Sequence, residues 1–168
     1  PASNPGVVLD PATGIVSVAP GTPAGAYTIT YQICETLNPA NCDDALVTVN
    51  VDQAPITAVD DNPPVTSSVG GATLPSVLLN DDLNGVAPTV GPSGTVTLVQ
   101  TIADPTGNLT LNPDGTLTVA PGAPNGTYQL TYQICEVANP TNCDTVTETV
   151  TVVAIDAVAE TFSQVSSA

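Results

Sequence analysis

Residues 19–42 read APGTPAGAYTITYQICETLNPANC, and residues 120–143 read APGAPNGTYQLTYQICEVANPTNC. Tyr31-Gln32-Ile33-Cys34 returns as Tyr132-Gln133-Ile134-Cys135, 101 positions further on, and Cys42 returns as Cys143. The match runs upstream, where Leu9-Asp10-Pro11-Ala12-Thr13-Gly14 faces Leu111-Asn112-Pro113-Asp114-Gly115 with one residue more in the first turn. Downstream, Val47-Thr48-Val49 faces Glu148-Thr149-Val150, and Ala157-Val158-Ala159-Glu160 echoes Ala58-Val59-Asp60-Asp61 as a third beginning.

A period of about 100 residues, made of short strands divided by turn signals, is the size of one immunoglobulin-like β-sandwich. The sequence therefore predicts an all-β chain of tandem immunoglobulin-like sandwich repeats in an elongated array. Residues 1–53 read as the C-terminal part of a first repeat, 54–154 as a complete repeat and 155–168 as the start of a following one. The first part is expected to lack the opening strands of its sandwich and to be unstable alone. Period-two alternation places strands of the complete repeat at 56–60, 74–79, 95–101, 107–112, 115–119, 127–135 and 145–153. Asn112-Pro113-Asp114-Gly115 is a hairpin signal, with proline presetting one dihedral and glycine free to take positive φ. In the strand at 127–135, Tyr128, Leu130, Tyr132 and Ile134 share one face. The Gly-x-Tyr entries that carry Tyr27 and Tyr128 are similar to the tyrosine corner of such sandwiches, which gives both tyrosines a structural role.

Charge narrows the function. The chain holds 16 Asp and Glu residues and no Lys, Arg or His, a net charge of −16. Phosphate backbones and anionic bilayers would be repelled, so neither nucleic acid nor direct membrane insertion is expected. No apolar run approaches the ~18 residues of a membrane span. No signal peptide is visible in the chain either, so export signals are expected outside it. Catalysis has little to build on without His, Lys or Arg, and the sequence predicts no enzyme.

The cysteines form two equal spacings, Cys34…Cys42 and Cys135…Cys143. There is no CxxC and no His for a zinc site, so two local disulfides in an oxidising compartment are the better reading. Since Ile134 faces inward, Cys135 should face outward and clip its hairpin, unlike the buried inter-sheet bridge of antibody domains. Asn80-Asp81-Asp82-Leu83-Asn84-Gly85 matches the front half of an oxygen-rich calcium loop, while the Glu expected near position 91 is Gly91. The loops at one pole of a sandwich would bring Asp60, Asp61, Asn80, Asp81, Asp82, Asn84, Glu136 and Asp144 together near the junction with the preceding repeat. Ca2+ at that junction is one reading; hydrated carboxylates in an Asx-turn loop are the other.

The block Tyr-Gln-Ile-Cys-Glu-x-x-Asn-Pro-x-x-Cys-Asp, with Ala58-Val59-Asp60-Asp61 and the Asn80–Gly85 segment, resembles repeats of the SprB-type gliding-motility surface adhesins of Bacteroidota. The resemblance spans essentially the whole chain, and the second segment is shared with cadherin-like repeats of many bacterial adhesins. It implies an extracellular filament on the outer membrane of a Gram-negative cell, exported by type IX secretion, that attaches to surfaces and serves gliding. Its partners would be neighbouring repeats and, through other parts of the protein, an external surface or polysaccharide. Asp144-Thr145-Val146 resembles the O-glycosylation motif of that phylum, with Thr145 the acceptor; the first copy has Asp44-Ala45 instead. The rival readings are a glycan-binding, lectin-like module and a self-assembling surface-layer or sheath protein.

Overall fold

The computed structural model of the chain describes residues 2–63 and 71–153. The echo at 155–168 lies outside the described residues. Every regular element described is a strand. Strands β1 (Val7–Leu9) and β2 (Val16–Val18) form one hairpin, and β3 (Gly25–Cys34) and β4 (Cys42–Val51) form another. After them come β5 (Ile56–Thr57), β6 (Ala72–Ser76), β7 (Asp82–Leu83), β8 (Val96–Ile102), β9 (Leu109–Leu111), β10 (Thr116–Val119), β11 (Gly126–Glu136) and β12 (Cys143–Val152).

Two three-stranded antiparallel sheets, β6-β10-β9 and β12-β11-β8, face each other across one core. The first supplies Leu74, Leu109, Leu117 and Val119; the second supplies Val96, Tyr128, Leu130, Tyr132, Ile134, Val150 and Val152. The alternation along β11 and β12 produces this. Successive side chains point to opposite faces of a strand, so every second residue meets the opposing sheet while Thr and Gln between them face water. The architecture is the β-sandwich that the repeat length and patterning predict.

Turn chemistry sets the register. In the β9–β10 hairpin Gly115 N donates to Asn112 O at 2.9 Å, and Gly115 sits at φ 88°. A Cβ at that glycine would run into Ser76 Oγ, so both its backbone angle and its neighbour exclude a side chain. Tyr128 Oη donates to Pro124 O and Tyr27 Oη to Pro23 O, both at 2.7 Å, and so each copy has its tyrosine corner.

The two copies differ in what covers them. Ile134 is fully buried beneath the opposing sheet, whereas Ile33, at the same place in β3, is 64% exposed. Among the described residues of the first copy, full burial is limited to Val7 and Ile29, where β1 lies against β3.

The expected strand at 56–60 is shorter, covering Ile56–Thr57 only. Beyond it the backbone stays out of the ladders because side chains take up its N–H groups.

Candidate functional site

The chain enters the sandwich through residues 58–62, and carboxylates grip it there. Ala58 N donates to Asp144 Oδ2 at 2.9 Å, Val59 N to Asp81 Oδ1 at 2.8 Å, and Asp61 N to Glu148 Oε2 at 3.0 Å. Asp60 Oδ1 accepts from Asn62 N at 3.0 Å and from Thr149 N of β12 at 3.1 Å. Asn80 Nδ2 donates to the Asp60 backbone oxygen at 3.2 Å. An N–H bond to an ionised carboxylate is stronger than one between neutral groups. Acidic side chains thus replace the strand neighbour that residues 58–62 lack.

Tyr132 anchors this network from β11. Its hydroxyl is fully buried, 3.1 Å from each Asp81 carboxyl oxygen and 3.0 Å from Val77 O. Burial and the adjacent Asp81 charge push the phenol far above its usual range, so it remains a donor. Burial raises Asp81 to about 6, against the lowering effect of the bonds from Val59 and Tyr132. Asp61 is raised by burial and by the Asp60 charge.

Glu148 is the sharpest departure. It is fully buried on the inward face of β12, and burial, with the charges of Asp60 and Asp61, raises it to about 8. Its Oε2 has the Asp61 N–H, but Oε1 has no donor, and neither does the buried Oδ2 of Asp61. Both residues line a cavity of about 150 Å3 shared with Ser76 and Leu117. The sequence reading did not single out Glu148. A signal was there: Glu148 interrupts the inward series Val146, Val150, Val152 where the first copy has Val47.

The residues predicted to hold a cation divide into two groups. Asp60, Asp61, Asn80, Asp81 and Asp144 gather around residues 58–62. Asp82 and Asn84 show no bond to residues 58–62. Asp82 pairs with Thr57 across β5 and β7 and accepts the Gly85 N–H at 2.8 Å, while Asn84 N donates to Pro55 O at 2.8 Å. Glu136 is also turned elsewhere, its Oε2 accepting from Asn139 and Asn142 Nδ2 within its own hairpin loop at 3.0 and 2.9 Å. Among the described residues no three Asp, Glu or Cys side chains form a group able to hold a metal ion.

Both cysteine pairs are bonded. Cys34–Cys42 and Cys135–Cys143 each join residues directly opposite in their hairpin, with Cα atoms 4.1 Å apart. Asn142 within the second clipped loop donates to Ala54 O at 2.8 Å, tying the loop to the incoming chain. Asn139 Oδ1 of the same loop accepts from Ala24 N at 2.6 Å and so touches the first copy. A groove of about 690 Å3 lies beside this contact, lined in part by Pro20, Leu83 and Val137. Thr145 is exposed on the outer face of β12 and accepts from Gln133 Nε2 at 3.2 Å.

A family model described as bacterial Ig domain matches residues 52–153. No curated protein matches the chain. Among solved structures it is similar to a SusE-like surface-located polysaccharide-binding protein from the heparin utilisation locus of Bacteroides thetaiotaomicron. The two are 22% identical, with a TM-score of 0.33, and the match covers 91% of this chain but 24% of that one. A likeness at that TM-score carries no argument about fold or function.

Proposed function

We propose, from the premise that the chain belongs to the bacterial Ig domain family, that it is a non-enzymatic segment of a cell-surface adhesion protein. Immunoglobulin-like units strung in series would form a stalk that carries a binding end away from the cell. The observation that carries this reading is the duplicated cystine hairpin, whose second copy reaches back to the first through Asn139 and Ala24. A charge of −16 without a single cation supports it, because like-charged units resist collapse onto one another. The resemblance of the cystine block to SprB-type adhesins extends the proposal to type IX export and gliding.

Antibody against the chain, applied to intact cells of the bacterium that encodes it, tests the reading. Surface labelling before permeabilisation is expected, with weaker attachment to glass when the parent gene is deleted. Labelling that appears only after the cells are opened would sink it.

One observation favours a second reading, a glycan-binding module. The outer face of β11 and β12 carries uncharged rows, Gln129 with Thr149, Thr131 with Thr147, and Gln133 with Thr145, whose polar atoms lie 3.0–3.2 Å apart. Such a face offers hydroxyl and amide groups to a neutral polysaccharide. It offers no aromatic platform, since Tyr128 and Tyr132 are in the core. Binding of the purified chain on a glycan array, lost in Thr147→Lys, would favour it over the stalk.

A further inference from the structure

We infer that Asp61 and Glu148 bind one hard divalent cation between Asp61 Oδ2 and Glu148 Oε1, within the cavity that both line. The inference is independent of the stalk proposal and would survive its failure.

The first ground is the pattern of satisfied and unsatisfied oxygens. Asp60 Oδ1, Asp81 Oδ1, Asp144 Oδ2 and Glu148 Oε2 all accept backbone N–H groups. Asp61 Oδ2 and Glu148 Oε1 are buried with no donor at all. A buried acceptor left without a partner is costly, and a buried carboxylate more so. The second ground is composition. With no Lys, Arg or His anywhere, the charge has to be met by a proton or an ion from solution. The third is room: about 150 Å3 beside Ser76 accommodates an ion and several of its waters. Two carboxylates plus retained water is a coordination that Mg2+ and Ca2+ accept, whereas softer metals favour nitrogen and sulfur.

The two copies sharpen the inference. Val47 holds the place of Glu148 in the first copy. The site therefore belongs to the second unit and is not a property of every repeat, and it differs from the Asn80–Gly85 loop in its ligands.

Calorimetric titration of the whole chain with CaCl2, and separately MgCl2, at pH 7.5 after EDTA treatment tests this. One site of roughly 0.1–1 mM affinity is expected for at least one of the two ions, within the range of extracellular calcium modules. Saturating ion should raise Tm by about 5 °C or more. The Glu148→Val variant, which installs the first copy's residue, should lose the titration while still unfolding cooperatively. Asp61→Asn should weaken it at least tenfold. Asp10→Asn, at an exposed turn of the first copy, should titrate as the parent does, which separates site binding from screening of a highly charged chain. No saturable heat with either ion, or an equal response from the parent and Glu148→Val, would overturn the inference. So would a chain that acid stabilises and that neither ion stabilises at pH 7.5, which would assign the place to a proton alone.

Discussion

Val47 and Glu148 occupy the same register position of the duplicated hairpin, each directly opposite an apolar residue, Ile29 for Val47 and Leu130 for Glu148. One position thus carries a methyl-bearing side chain in one copy and a buried carboxyl in the other. The second copy surrounds its carboxyl with Asp60, Asp61 and the N–H of Asp61.

This difference predicts an unusual pH profile in chelator. Glu148 titrates near 8 when folded, above its ordinary 4.5, and Asp81 near 6, above 3.8. The folded state therefore holds protons that the unfolded state has released, so stability is greatest in mild acid and falls as pH rises from about 5 to 8. One such proton changes stability by about 1.4 kcal/mol per pH unit. Urea melts at pH 5, 6.5 and 8 should show the decline, and Glu148→Val should remove most of it. Below pH 4 the sign reverses. There Asp104 is held below its usual range, against the upward push of burial, by bonds from Thr106, Asn108 and Leu109, and protonating it removes stability.

Tyr132→Phe deletes the hydroxyl that links Asp81 to Val77 and leaves buried acceptors behind. A loss of about 1–3 kcal/mol is expected. Hydrogen exchange should quicken at Val59, whose N–H is held by Asp81.

Gly115→Ala and Gly107→Ala separate two costs of filling a positive-φ site. Gly107 at φ 72° has open space where a Cβ would stand, whereas Gly115 at φ 88° has Ser76 Oγ there. Gly107→Ala should cost about 1 kcal/mol. Gly115→Ala should cost clearly more, and Gly115→Ala combined with Ser76→Ala should recover the excess, read by urea unfolding.

Ile134→Ala should cost about 2–5 kcal/mol, since its side chain is fully enclosed. Ile33→Ala, at the matching place with 64% exposure, should change stability by about 0.5 kcal/mol or less. Equal effects at the two sites would contradict the difference in covering described for the copies.

Much of this architecture was legible because alternation and turn residues are local. The inward set Tyr128, Leu130, Tyr132 and Ile134, the Asn112–Gly115 turn and the tyrosine corners all follow from spacing along one segment. The ends of β5 did not, because the carboxylates that stop it come from Asp81, Asp144 and Glu148, remote in sequence. The pole of acidic residues was legible only in part. Asp60, Asp61, Asp81 and Asp144 do converge, but Asp82 accepts the Gly85 N–H in the turn after β7, as short polar side chains do when a backbone N–H lies close, and Asn84 supplies that turn's positive φ. Glu148 escaped notice because a single charged residue in a Thr-rich strand reads as solvent-facing until its parity is counted.

The cystine between Cys135 and Cys143 also sets how much thread the unit releases if it is pulled apart end to end. Its partners are 8 positions apart in sequence yet 4.1 Å apart in space. The loop between them cannot straighten under tension, and at ~3.5 Å per residue this withholds roughly 24 Å of contour length. A reducing agent would give that slack back, so the molecule's reach under load depends on the redox state of its surroundings.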